Sequence, residues 1–194
     1  MKKSIKKLVA TVLLSGVMLA MTACGKTDAV QDDLYTYLNN MTEAQVLQQE
    51  AITEYNTYVT SADADSQQLL TALNDSIIPK YQNYMAKLDA VTPETEEVQT
   101  VKAACEAGAN KQLDALNKVV EAINACDTDL LNEADTLIRE SEQAFADYES
   151  QLQTLASEHN IELVNDGAGA GNDNSDASAT DSEAGTEEAA TEAE

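Results

Sequence analysis

Apolar residues recur every three or four positions along most of the chain, and this spacing predicts four long amphipathic helices. The first stripe, within residues 28–60, consists of Leu34, Leu38, Met41, Ala44, Leu47, Ala51, Tyr55 and Val59. The second stripe, which follows a capping residue at Asp65, consists of Leu70, Leu73, Ile77, Tyr81, Tyr84, Leu88 and Val91. Its phase continues across Pro79, so we expect one kinked helix there and not two helices.

The other two stripes follow clear start signals. Thr92-Pro93-Glu94 places a cap, a proline and an acid at the start of the third helix, and Asp127 starts the fourth. The third stripe is Val98, Val101, Cys105, Gly108, Gln112, Leu116, Val119 and Ile123. The fourth is Leu131, Ala134, Ile138, Ser141, Phe145, Tyr148, Leu152, Leu155 and His159. No segment shows the alternation of apolar and polar residues that is typical of strands. Residues 28–164 are therefore predicted to form an all-α, antiparallel up-down four-helix bundle.

The two ends of the chain differ from the helical region. Residues 1–7 carry four lysines and no acid, and residues 8–21 are mostly apolar. This apolar run is shorter than the roughly 20 residues of a membrane-spanning helix. Residues 1–23 are therefore predicted to be a signal peptide cleaved between Ala23 and Cys24. Residues 165–194 contain mostly small and polar residues, with nine acids and no base, which predicts a disordered acidic tail.

The segment Met21-Thr22-Ala23-Cys24 resembles the lipobox of bacterial lipoproteins, in which the cysteine thiol receives a diacylglycerol and becomes the mature N-terminus. The resemblance implies lipid attachment at Cys24, a short spacer over residues 24–27, and a position at the extracytoplasmic face of the cell membrane. An ordinary signal peptide with a chance cysteine is the alternative.

A wider resemblance extends over the folded region. Asp33-Leu34-Tyr35-Thr36-Tyr37, Ile78-Pro79-Lys80-Tyr81, Thr92-Pro93-Glu94-Thr95 and Glu158-His159-Asn160 are similar to segments of uncharacterised helical-bundle lipoproteins of Gram-positive bacteria. These segments mark where helices begin, bend and end. The resemblance therefore implies a role in the cell envelope, and it implies no catalytic residues.

The chain is strongly acidic, with a formal net charge of −24. Removal of residues 1–23 would remove four lysines and no acid, which gives −28. Nucleic-acid binding requires clustered Lys and Arg, so nucleic acid is not an expected partner. The same charge argues against a bundle that lies flat on an anionic membrane.

The residues that usually carry chemistry are few. His159 is the only histidine, and no metal-binding, phosphate-binding or nucleophile motif is present. We therefore expect no metal, no cofactor and no enzymatic activity.

Cys105 and Cys126 are 21 residues apart on one predicted helix, about 31 Å, which is too far for a disulfide between them. Two buried thiols on one apolar face are expected, and an intermolecular disulfide is the alternative.

The functional prediction is a membrane-anchored extracytoplasmic lipoprotein whose helical bundle has a structural or interaction role. Peptidoglycan or an envelope protein would be the partner. Tyr37 and Tyr58 lie off the main apolar stripe, and they are the candidate partner surface. The alternative is a receptor lipoprotein that binds a small ligand or a cation.

Overall fold

Long helices account for most of the protein. The computed structural model describes residues 17–20, 28–61 and 65–165. The helices are α1 (Ala29–Thr60), α2 (Ser66–Ala72), α3 (Ile78–Ala90), α4 (Glu96–Ala125) and α5 (Thr128–Glu158), with a π-helical turn at Leu73–Ile77 between α2 and α3. The predicted all-α class is confirmed.

Aspartate side chains define three of the helix starts. Asp28, Asp65 and Asp127 have extended backbones, and each side chain accepts a hydrogen bond from the backbone N–H two residues later. The starts predicted at Asp65 and Asp127 are therefore confirmed. The start predicted at Thr92 is wrong, because α4 begins at Glu96.

The helix is continuous across Pro79, as predicted, but its path contains a π turn. Proline lacks an N–H, and its ring crowds the carbonyl four residues earlier, so a regular α-helix is disfavoured there. In the structure the N–H of Ile78 donates to the carbonyl of Leu73, five residues back. A π turn contains one extra residue, which shifts the apolar stripe before it. Leu69 is consequently buried in place of the predicted Leu70, which is only partly buried.

One apolar core connects all five helices. Every residue of the third predicted stripe is buried, and so is every residue of the fourth except His159. The first stripe needs one correction, because Leu47 is only partly buried and the adjacent Gln48 is fully buried. Regular steps of three and four residues therefore predicted most of the core.

Ion pairs and hydrogen bonds connect successive long helices. The contacting pairs are Glu43–Lys87 and Glu54–Lys80 for α1 and α3, Tyr84–Cys105 and Tyr81–Gln112 for α3 and α4, and Lys111–Glu140 and Lys118–Glu133 for α4 and α5. The carbonyl of His159, just after α5, accepts from the side chain of Gln31 near the start of α1, so these two ends also meet.

Two short strands accompany the helices. β1 (Val17–Ala20) pairs antiparallel with β2 (Glu162–Asn165), with Val17 opposite Asn165. The sequence predicted no strand, and four residues are too few for an alternation to be recognised. Ile161 and Leu163 are partly buried and pack against the helical core, which holds β2 at the end of α5.

Candidate functional site

The predicted lipid attachment site lies outside the described residues, and so do Ala23 and Cys24 of the predicted cleavage site. The same holds for the spacer over residues 24–27 and for the tail from residue 166 onward. The described chain resumes at Asp28, four positions after Cys24. The end of the protein that contains Asp28 is therefore the first described structure after the predicted anchor.

Asp28 makes two kinds of contact at this end. Its Oδ1 accepts hydrogen bonds from the N–H groups of Val30 at 3.1 Å and Gln31 at 3.4 Å. Its Oδ2 lies 2.6 Å from Nδ1 of His159, just after α5. The hydrogen bond with His159 is the main reason that the pKa of Asp28 is below its usual value. A single carboxylate thus caps α1 and fastens the end of α5 to it.

Asp33 has a comparable role one turn further along α1. Its Oδ2 accepts from the N–H groups of Glu94 at 3.0 Å and Thr95 at 2.8 Å, and from the Thr95 hydroxyl at 2.7 Å. Burial raises the pKa of Asp33, but these hydrogen bonds outweigh burial, and the pKa is lower than usual. Asp33 therefore caps α4 from another helix. The sequence analysis did not predict this role, because Asp33 and the residues at the start of α4 are about 60 positions apart.

The structure contradicts the prediction that Tyr37 belongs to a partner surface, because its side chain is only 1% exposed. Tyr37 is three residues after Leu34 and four before Met41, so it also fits a helical stripe. Burial raises its pKa far above the usual value, and nearby Tyr148 and Cys105 raise it further. Its hydroxyl interacts with the Tyr148 hydroxyl inside the core.

Tyr58, the other candidate, is partly buried and packs against the core. Part of its ring faces solvent, so it stays a possible contact residue, but it forms no surface with Tyr37. The two predicted residues therefore do not form one site.

Buried polar side chains form a layer near the middle of the helices. The Tyr81 hydroxyl donates to Oε1 of Gln112 at 2.8 Å, and Nε2 of Gln48 donates to the same oxygen at 3.3 Å. Within the described part of the chain, Oε1 of Gln48 and Nε2 of Gln112 have no partner. This layer links α1, α3 and α4 by hydrogen bonds in an otherwise apolar core.

Cys105, within α4, and Cys126, directly after α4, are free thiols in different environments. Cys105 is buried 3.5 Å from the Tyr84 hydroxyl, and burial raises its pKa to about 11. Cys126 is exposed, which contradicts the prediction that it is buried. The reason is local, because α4 ends at Ala125 and Cys126 adopts a left-handed conformation with φ 53° at the cap.

One further candidate site is a surface groove. A shallow groove of about 480 Å³ lies between the last turns of α5 and residues 160–163. Among the residues that the structure describes, no group of three or more His, Cys, Asp and Glu side chains could hold a metal ion. No helix in that part of the chain is long and apolar enough to cross a membrane.

Comparison with known proteins identifies the family. Residues 5–175 match the family described as EMYY-motif containing lipoprotein. Neither the comparison with curated proteins nor the comparison with solved structures found a match. The letters EMYY do not occur consecutively in this sequence. The match covers most of the chain, including the lipobox and all the helices, and it confirms the prediction of a lipoprotein. The chain therefore belongs to the EMYY-motif containing lipoprotein family.

Proposed function

We propose that this lipoprotein is anchored by lipid on Cys24 at the extracytoplasmic face of the membrane, and that its helices form a non-catalytic, antiparallel up-down four-helix bundle. The bundle has a structural or interaction role in the cell envelope, in contact with peptidoglycan or an envelope protein. The observation that carries this proposal is the continuous core. The buried side chains of all five helices form one cluster, whereas a receptor would need room for its ligand between the helices.

The position of the anchor determines how far the bundle reaches. Only residues 25–27 separate Cys24 from Asp28. Asp28 contacts His159, which lies at the other end of the helical region in the sequence. The longest helix, α1, has 32 residues and extends about 48 Å. A bundle held this close to the lipid would contact partners within that distance of the membrane.

Cleavage before Cys24 would also change the strand pair. β1 lies within the predicted signal peptide, so the mature protein would lack it. β2 would remain attached to the bundle by Ile161 and Leu163. The acidic tail that follows would leave the bundle near the membrane and would be repelled outward by anionic lipid.

The anchor is tested by comparing Cys24→Ala with Cys126→Ser, which changes an exposed cysteine elsewhere. We expect Cys24→Ala to release the protein from membranes and to remove the lipid mass, whereas Cys126→Ser stays membrane-bound. Two or more acyl chains give stable attachment, so the difference should be nearly complete. Equal membrane retention of both variants would refute the anchor.

The role is tested by co-sedimentation of the lipidated protein with purified peptidoglycan, beside a thermal-shift screen of small ligands and cations. Binding to the wall or to an envelope protein, without a ligand shift, is the expected result. A ligand shift without wall or protein binding would favour the receptor alternative, for which the shallow groove after α5 is one candidate site.

A further inference from the structure

The chain that follows α5 is held in place by the folded bundle. The N–H of Ile161 donates to the carbonyl of Ala156 at 2.8 Å, and the N–H of Asn160 donates to the carbonyl of Ser157 at 3.3 Å. Asn160 has a left-handed backbone with φ 56°, so these bonds form a Schellman motif at the end of the helix. Ile161 and Leu163 then pack against the core. The end of α5 and the core therefore direct the chain into β2.

β1 occupies one edge of β2 in the unprocessed chain. The two strands are antiparallel, with Ala20 opposite Glu162 and Val17 opposite Asn165. In such a pair, backbone N–H and C=O groups of one strand bond with those of the other. β1 lies within the predicted signal peptide, so this inference rests on the proposed cleavage before Cys24. That cleavage would remove β1 and leave this edge of β2 without its strand partner.

An open strand edge can pair with other extended segments, and β2 has few features that would prevent this. Natural edge strands are commonly protected by proline, by lysine or by a covering element. β2 contains neither proline nor lysine, and its one charged residue is Glu162 at its start. Within the part of the chain that the structure describes, β1 is the one strand paired with β2. Cleavage would therefore expose a four-residue edge that is able to bind another strand.

The shallow groove of about 480 Å³ lies beside β2. Its lining includes Gln153 and Ala156 of α5 on one side, and Ile161 and Leu163 on the other. All the described lining residues lie between positions 153 and 163, so removal of β1 would leave them in place. When a strand is added to a sheet edge, backbone hydrogen bonds provide affinity, and neighbouring pockets receive side chains and provide specificity. The edge of β2 and the groove together supply both elements.

The segment that β2 holds before cleavage indicates the chemistry of its later partner. Residues 17–20, Val-Met-Leu-Ala, are extended, apolar and uncharged. A second copy of this chain is a poorer occupant, because two copies of so acidic a protein would repel each other. We propose that cleavage converts β2 into a docking edge for an extended, uncharged apolar segment of an envelope protein, which adds to β2 as an antiparallel strand. The proposed interaction function thereby gains a partner defined by its chemistry.

The test uses the mature lipidated chain in detergent, after intact mass has verified that residues 1–23 are absent. The probe is a fluorescent synthetic peptide with the sequence of residues 15–22. Two further peptides carry two N-methyl groups each, one on Val17 and Leu19 and the other on Met18 and Ala20. Successive N–H groups of a strand point to opposite edges, so only one of these peptides keeps the N–H groups that would face β2. Both have the same composition, so uptake by detergent should be similar.

Fluorescence anisotropy should show that the unmodified peptide binds the mature chain. One N-methylated peptide should bind within about twofold of it, and the other about tenfold or more weakly. The complete chain of residues 1–194, made by cell-free synthesis so that β1 is retained, should also bind the unmodified peptide about tenfold or more weakly, because β1 competes for the edge. Detergent without protein provides the blank.

A matched pair of variants tests whether binding depends on β2. Leu163→Ala removes a side chain that holds β2 against the core, and Leu113→Ala removes a partly buried leucine that packs against the core from α4. Thermal melting verifies that each variant is folded. Leu163→Ala should weaken peptide binding about fivefold or more, and Leu113→Ala should change it less than about twofold.

Equal binding of the two N-methylated peptides would mean a nonspecific apolar contact and would overturn the inference. Self-association of the mature chain that is lost in Leu163→Ala, in place of peptide binding, would also overturn it. A cleaved chain that bound no peptide would refute this inference alone. If intact mass showed that residues 1–23 remained, the proposed anchor would fail, and the open edge would fail with it.

Discussion

Nδ1 of His159 lies 2.6 Å from Oδ2 of Asp28, although 131 positions separate the two residues in the sequence. The contact joins the residue after α5 to the residue before α1. Nε2 of Gln31 adds a second link by donating to the His159 carbonyl at 3.1 Å. The first and last helices are therefore attached at the end of the protein nearest Cys24.

Loss of the His159 side chain should loosen this end without unfolding the protein. In His159→Ala, we expect faster amide hydrogen exchange in residues 155–163 and in the first turn of α1, because the link between them is gone. Asp28→Ala should have a larger effect on α1, since it also removes the cap. Hydrogen-exchange mass spectrometry measures both.

The matched control for that experiment is Asp65→Ala, which removes a helix cap at a site without a histidine contact. It should increase exchange in α2 and leave residues 155–163 unchanged. If His159→Ala increased amide exchange in α4 as much as in α5, the contact would support the whole fold, and the local interpretation would be wrong.

The cap that Asp33 provides to α4 should depend on pH. Because its folded-state pKa lies below the usual 3.8, the charged form adds stability above that value, and this stability is lost as pH falls through the lower folded-state pKa. Asp33→Asn should lower the free energy of unfolding by about 1.5–3 kcal/mol at pH 7. The difference from the original protein should shrink at about pH 3. Urea unfolding at both pH values measures this, with the exposed Asp32→Asn as a control that changes little.

Regular helical periodicity made most of the core predictable, and departures from it explain the errors. The α4 stripe from Val98 to Ile123 was correct throughout because no distortion interrupts that helix. Leu70 was chosen over Leu69 because the sequence does not reveal the π turn that shifts the stripe. Cys126 was predicted to be buried because it lies 21 residues after Cys105, on the same face of the predicted helix. It is exposed because α4 ends one residue earlier, at Ala125.

The candidate site was less predictable, because it depends on contacts between distant residues. Asp33 and Thr95 are 62 positions apart, and nothing in the local pattern of either residue indicates that they meet. Tyr37 and Leu38 are both buried, so α1 has a wider apolar face than a single stripe indicates. Only the lipobox around Cys24 could be recognised from adjacent residues alone.

Gly108 provides space for the Phe145 ring. A Cβ atom at position 108 would lie 3.0 Å from Cδ1 of Phe145. Alanine would favour the helix by about 1 kcal/mol, but overpacking costs about 1–3 kcal/mol. Gly108→Ala should therefore destabilise the protein. In a Phe145→Leu background the contact is relieved, and the same change should be neutral or stabilising. A double-mutant cycle by urea unfolding measures the coupling, and additive effects would contradict it.

The buried polar layer should respond differently to partial and complete removal. Gln112→Leu deprives the Tyr81 hydroxyl and Nε2 of Gln48 of their acceptor, which should cost about 1–3 kcal/mol or more. The combined Gln48→Leu/Tyr81→Phe/Gln112→Leu variant leaves none of these polar groups unpaired, so it should regain that stability or exceed the original protein. Urea unfolding separates the cases. A triple variant no more stable than the single variant would show that the layer stabilises the fold by packing alone.

Thiol labelling should distinguish the three cysteines. Cys126 is exposed and should react quickly with an aromatic disulfide reagent in the folded protein, whereas buried Cys105, with its pKa raised to about 11, should react only after unfolding. Cys126→Ser should abolish the fast reaction. The sequence has three cysteines, so the unfolded chain should give two reactive thiols if lipid occupies Cys24 and three if it does not. Fast labelling of Cys105 in the folded state would mean that the Tyr84 side of the core opens readily.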